Sequence, residues 1–269
     1  GWRAAALMLA MLATAGCAKR EEARFYELID HKGHLFKVGA KEAFTGVGVK
    51  EHGNGQRAME VEISGGKFHG ELTEWHPNGR KAHEAEYRQG KKHGAEVFWF
   101  ENGQKQFEGR FSEDQQDGRS VHWFDNGQKE RRANYQAGML NGEEMNWHRN
   151  GKVMLGATWQ NGKLVEAKCF DTMGNLTGEV KEGNGKVYSY WPNGDKRSDD
   201  TFVKGVRHGT SLFWHDNGQL GKQAPYQAGK LEGEEYHWHA NGRWKWQALY
   251  QKGRLVAKRA WTPEGKPIK

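Results

Sequence analysis

His237 and His239 flank Trp238, and alternate residues of an extended strand point to one face, so the two imidazoles could meet one metal ion. Zinc chemistry would need at least one further ligand, and the sequence offers none at a fitting distance. The same positions recur elsewhere: His76, His148, His215 and His239 each follow an aromatic position, while His122 and His237 precede one. A repeated structural role is therefore expected of the histidines. His69, His93 and His208 stand just before a glycine and read as turn residues. Glu60, Glu84 and Glu108 are spaced by 24 and form a uniform ladder. Catalytic carboxylates need neighbours that drive their pKa values apart, which a uniform ladder does not supply. No G-x-S-x-G, Walker or H-E-x-x-H element is present. The expectation is a protein without catalytic residues, cofactor or metal.

The elements that carry these residues announce themselves by repetition. The phrase EWHPNGRK, Glu74 to Lys81, returns as FWFENGQK, HWFDNGQK, NWHRNGKV, FWHDNGQL and HWHANGRW. Trp75, Trp99, Trp123 and Trp147 share a spacing of 24; Tyr190, Trp214 and Trp238 resume it. Ile63, Tyr87, Phe111, Tyr135 and Trp159 form a second series with that period. A fixed period of this length is the mark of a repeat architecture. The segment NGKLVEAKCFDTMGN resembles KGRLVAKRAWTPEGK at the end of the chain, so two arrays are expected, each closed by a similar unit. The expected layout is a lead-in over 17–43, a first array over 44–175, a hinge at 176–184 and a second array over 185–269.

Asn-Gly between β-compatible runs signals a hairpin tip. A three-residue loop, Pro77-Asn78-Gly79, would pair His76 with Arg80 and leave glycine in the left-handed conformation. Counting outward by twos from that loop puts Thr73, Trp75, Ala85 and Tyr87 on one face, with Trp and Tyr as a common spine. The second turn repeats glycine pairs, such as Gly90/Gly94 and Gly138/Gly142. The predicted fold is therefore all-β: an elongated, single-layer, twisted antiparallel meander of hairpins, with HLFKVG in the lead-in as a further strand.

Composition supports a thin protein. Twelve Trp, 8 Tyr and 12 Phe, placed periodically, can replace a thick aliphatic core, since each large ring buries roughly 150–250 Å². The net charge of +7 comes from 41 Lys and Arg interspersed with 34 Asp and Glu, which describes solvated strand faces and not a nucleic-acid groove. No nucleic-acid partner is expected.

The N-terminus reads as an address. Arg3, an apolar run from Ala4 to Ala15, and then Ala15-Gly16-Cys17 have the dimensions of a secretory signal and are too short for a spanning helix. Small residues directly before cysteine resemble the bacterial lipobox. The resemblance implies cleavage of residues 1–16, lipidation of Cys17 and anchoring in a membrane. Ala18 in place of aspartate directs such a lipoprotein to the outer membrane where the source has two. Cys169 would then be the single unmodified cysteine of the mature chain, with no disulfide available to it, and reads as packing.

The unit W-x-x-N-G-x, seven residues, then Y-x-x-G-x-x-x-G resembles the MORN-repeat variant of proteins called YwqK-family antitoxins of toxin–antitoxin systems. The lead-in HLFKVGAKEAFTGVGVKEHGNG is similar to the start of that domain, and the resemblance covers about residues 28–269. It implies hairpin sheets used as binding scaffolds. The function expected is a non-enzymatic, envelope-anchored scaffold for a protein partner, with the ladder Trp75, Trp99, Trp123, Trp147, Tyr190, Trp214 and Trp238 as candidate binding surface. Two rivals stand beside it: a glycan- or peptidoglycan-binding module using that ladder, and an immunity protein that masks a toxin.

Overall fold

The computed structural model describes residues 20–268. They form one 24-stranded sheet and a separate two-stranded one. Strands pair with their neighbours in sequence, antiparallel throughout the repeats, from Gly46–Glu51 to Pro267–Ile268. The predicted meander is present. One pair is parallel: Glu22–Arg24 lies along Gly46–Glu51, with Glu22 opposite Val47. The lead-in segment His34–Lys37 does form a strand, but it pairs with Leu28–His31 outside the main sheet.

The tips follow the three-residue loop. His76 N–H donates to Arg80 O at 2.8 Å, Gly79 N–H donates to His76 O at 2.9 Å, and Gly79 has φ +79°. The same pair of bonds recurs at each tip from Gly55 to Gly265. The opposite turns are tighter. Gln89-Gly90, Ala137-Gly138, Asn161-Gly162 and Ala228-Gly229 all carry two successive positive φ values, as a two-residue hairpin turn requires.

The face assignment differs from the expected one. Trp75 lies opposite Lys81, but Glu74 lies opposite His83, so Ala82 is an extra residue next to the loop. This bulge shifts the register by one and turns the rest of the strand over. Leu72 is then opposite Ala85 and Gly70 opposite Tyr87, while Thr73 faces Glu84. Trp75 and Thr73 therefore occupy one face and Ala85 and Tyr87 the other. The Trp and Tyr series are two spines, one per face. The bulge recurs beside Trp99, Trp123, Trp147, Tyr190, Trp214 and Trp238.

On the tyrosine face each large ring lies across from a second-turn glycine: Tyr87 from Gly70, Phe111 from Gly94, Tyr135 from Gly118, Trp159 from Gly142. Apolar packing is concentrated at two places on this face. The lead-in folds Ala23, Leu28 and Phe44 over Val61, Ile63 and Leu72. Midway along the chain, Leu164, Ala167, Cys169, Val180 and Phe202 form a second cluster with Trp159 and Val187 against it. There the strand Leu176–Lys181 meets the next strand through just two register pairs, Val180 with Gly185 and Lys181 with Asn184. The sheet folds about it: Tyr188 N–H donates to Cys169 Sγ at 3.4 Å, and Leu164 N–H donates to Gly205 O at 2.9 Å.

Candidate binding surface

The seven ladder residues sit one place before each tip on the tryptophan face, all half-buried. Across from them stand Lys81, Lys105, Lys129, Val153, Lys196, Leu220 and Trp244. In the first array the lysines turn to the glutamates of the 24-residue series. Lys105 Nζ donates to Glu108 at 2.7 Å, Lys81 does the same to Glu84, and Arg57 bonds Glu60 at 3.2 Å. Those carboxylates are half-exposed and matched by cations, a solvated strand surface. The face offers rings flanked by exchangeable ion pairs, each worth little to stability.

The histidines that follow the aromatic position have a definite task, which periodicity alone did not disclose. His52 Nε2 donates to Trp75 O at 2.8 Å, and His76 Nε2 to Trp99 O at 2.9 Å. His148, His215 and His239 do likewise to Phe170, Trp238 and Trp261. In the unit where tryptophan replaces histidine, Trp191 Nε1 donates to Trp214 O at 3.0 Å. Each imidazole thus pins the ladder residue of the following unit by its carbonyl. The tip asparagines add a second link. Asn78 Oδ1 accepts from Arg80 N–H at 3.0 Å within its own turn, and its Nδ2 donates to Glu101 O at 3.0 Å in the next. Asn102, Asn150, Asn193, Asn217 and Asn241 repeat the inter-tip bond. The signal for both links was in the sequence, as a His and an Asn at a constant offset from the ladder.

The tyrosine face carries a row of buried acids unforeseen from the pattern. Glu96 bonds His83 Nε2 at 3.0 Å and Lys92 Nζ. Burial raises its carboxyl pKa, but the His83 and Lys92 bonds outweigh burial and hold it below the ordinary value. Glu144 accepts from Arg131 Nε and from Trp159 Nε1, both at 2.7 Å. Glu235 takes Lys222 Nζ at 2.8 Å and His237 at 3.2 Å. These carboxylates hold neighbouring strands together.

His237 and His239 are engaged separately. The first bonds Glu235 and stacks on Trp246 with centroids 3.7 Å apart; the second bonds Trp261 O. Among the described residues no three His, Cys, Asp or Glu side chains converge in a metal-binding group. Cys169 is fully buried, and burial raises its thiol pKa. Cys17 lies outside the described residues.

Residues 92–113 and 207–228 match the family model of the MORN repeat variant. Each match spans one strand, an Asn-Gly tip and the returning strand. MORN repeats are modules for binding protein or membrane. No curated protein matches the chain. Solved structures similar to it include TcdB2-TccC3, at 12% identity and a TM-score of 0.18, covering 82% of this chain and 15% of that one. TcdB2-TccC3-TEV gives 13% and 0.16, covering 87% and 12%. The Photorhabdus luminescens Tc holotoxin pore gives 10% and 0.15, covering 88% and 15%. The chain spans 15% or less of the length of each.

Proposed function

We propose that this chain is a non-enzymatic scaffold that binds a protein partner at the cell envelope, exported by residues 1–16 and anchored through lipid on Cys17. The supporting observation is where the polar chemistry goes. The staple histidines and tip asparagines bond the next unit, and the buried acids bond neighbouring strands. What is left is an extended face of half-buried rings and ion pairs, suited to recognition over a length. The resemblance to YwqK-family antitoxins supports a second reading, an immunity protein that masks a secreted or surface-delivered toxin.

Crosslinking in the native cell, followed by recovery from membrane extract, tests the reading. A specific protein is expected with the native chain, and a reduced yield with Cys17→Ala, which leaves the protein unanchored. Recovery of no protein above background from the anchored chain refutes the scaffold. Equal fractionation of both forms into the soluble phase refutes the anchor.

A further inference from the structure

The hairpin with its tip at Gly242, next to last in the chain, departs from four others at one position. Where Lys81, Lys105, Lys129 and Lys196 stand across from the ladder ring, this unit has Trp244 opposite Trp238. Trp244 gathers three further rings. Its centroid is 5.1 Å from Trp238, 5.4 Å from Tyr236 and 6.3 Å from Trp261, at interplanar angles of 33°, 57° and 45°. Trp244 is 43% exposed at the centre of the group.

The polar surroundings change at the same place. In the first array the row beside the ladder runs Glu60, Thr73, Glu84, Val97, Glu108, with cations bound to the acids. Beside the four rings it runs Gln223, Tyr236, Gln247, Arg259. Charge pairs have given way to amides, and the Tyr236 hydroxyl donates to the Glu234 carboxylate.

We propose that this aromatic group is a saccharide-binding platform for the pyranose rings of an uncharged glycan chain. A pyranose presents a C–H face that lies against the electron-rich face of an indole. Its rim of hydroxyls needs groups that both donate and accept, which Gln223 and Gln247 supply. Rings inclined to one another form a shallow dish that supports successive sugars and not a single flat aromatic ligand. An anionic lipid surface would call for a cluster of cations, and this face of the unit has exchanged lysine for tryptophan. The platform goes beyond the protein-binding reading: the length of the sheet serves one partner and its next-to-last hairpin another.

The test titrates the full chain with the N-acetylglucosamine hexamer and with cellohexaose, following tryptophan emission. A saturable shift is expected with at least one. Trp244→Lys, which installs the residue native to four other units, should weaken binding at least about tenfold with an unchanged circular dichroism spectrum. Gln247→Ala, which leaves the four rings in place, should also weaken it, and decides the matter where Trp244→Lys perturbs the fold. A flat titration with both sugars, or a folded Trp244→Lys that binds as tightly as the native chain, overturns the platform. Protein capture by crosslinking in Trp244→Lys reports on the scaffold separately: retained capture leaves that reading standing whichever way the sugar result falls.

Discussion

Gly79 and Gly185 both have positive φ, at +79° and +144°, yet they answer substitution differently. A Cβ on Gly79 would meet nothing within 4 Å, so the cost of Gly79→Ala is conformational, about 1–2 kcal/mol. A Cβ on Gly185 would run into the Glu179 carbonyl and lie 2.9 Å from Val180 Cα, where only the backbone can yield. Gly185→Ala should therefore cost more than Gly79→Ala, as urea unfolding would show. Acid sensitivity also belongs to single residues. Burial lowers the His122 pKa, with Arg131 adding to it, and burial lowers that of His237 against the pull of Glu235. A histidine whose folded pKa is depressed binds fewer protons than the unfolded chain below the ordinary imidazole value, so stability falls as pH drops through that window. Glu96, held below the ordinary carboxylate value, adds a second loss at lower pH, as its carboxyl takes a proton. His122→Asn, the residue found at the equivalent position 146, should shrink the first stage to the share of His237 and leave the second, measured by unfolding from pH 7 downward.

The hairpin is the element that the sequence exposes most and least completely. Asn78-Gly79 and its siblings disclosed the loop, its length and the left-handed glycine, because those depend on local backbone preference. The face of Trp75 was not legible, because it depends on one bulged residue, Ala82, inserted between the loop and the regular ladder. No residue type marks that insertion, and a shift of one reverses every assignment beyond it. The buried acids Glu96 and Glu144, opposite Ala85 and Ala133, escaped because no residue type in their repeat sets them apart from exposed glutamates. The inter-unit bonds yield a prediction at this scale. Links such as His76 to Trp99 and Asn78 to Glu101 each span 23 residues. Excision of residues 105–128, one whole period, moves the Asn102 link from Asp125 to Arg149 in register and should give a folded chain whose denaturant m-value is lower by roughly a tenth. Excision of only residues 105–116 joins unlike strands, leaves Asn102 out of register with the following tip and should fail to fold cooperatively by circular dichroism.

Away from the fold that joins Leu164 to Gly205 and Cys169 to Tyr188, and from the lead-in, contact along the repeats is between neighbours. Such arrays lose structure piecewise, each unit held by its own stability and its interfaces. The cluster of Leu164, Cys169, Val180 and Phe202 is the best-buried region of the middle of the chain, whereas Leu255 and Val256, in the strand equivalent to that of Leu164, are 54% and 53% exposed. Amide exchange should be slowest on Val153–Phe170 and fastest on Arg254–Arg259, with unfolding in more than one step. Coincident exchange rates across both regions would refute this gradient.

Asn-Gly is also the dipeptide most prone to hydrolytic ageing, through a cyclic imide that opens to aspartate or isoaspartate. At each tip where both bonds form, the amide carries two duties, and its nitrogen faces a carbonyl on the adjoining tip. Conversion would set a carboxylate oxygen against that carbonyl, trading attraction for repulsion. Time itself would then loosen the row from its tips inward, one corner after another, while the buried acids on the far face kept their partners.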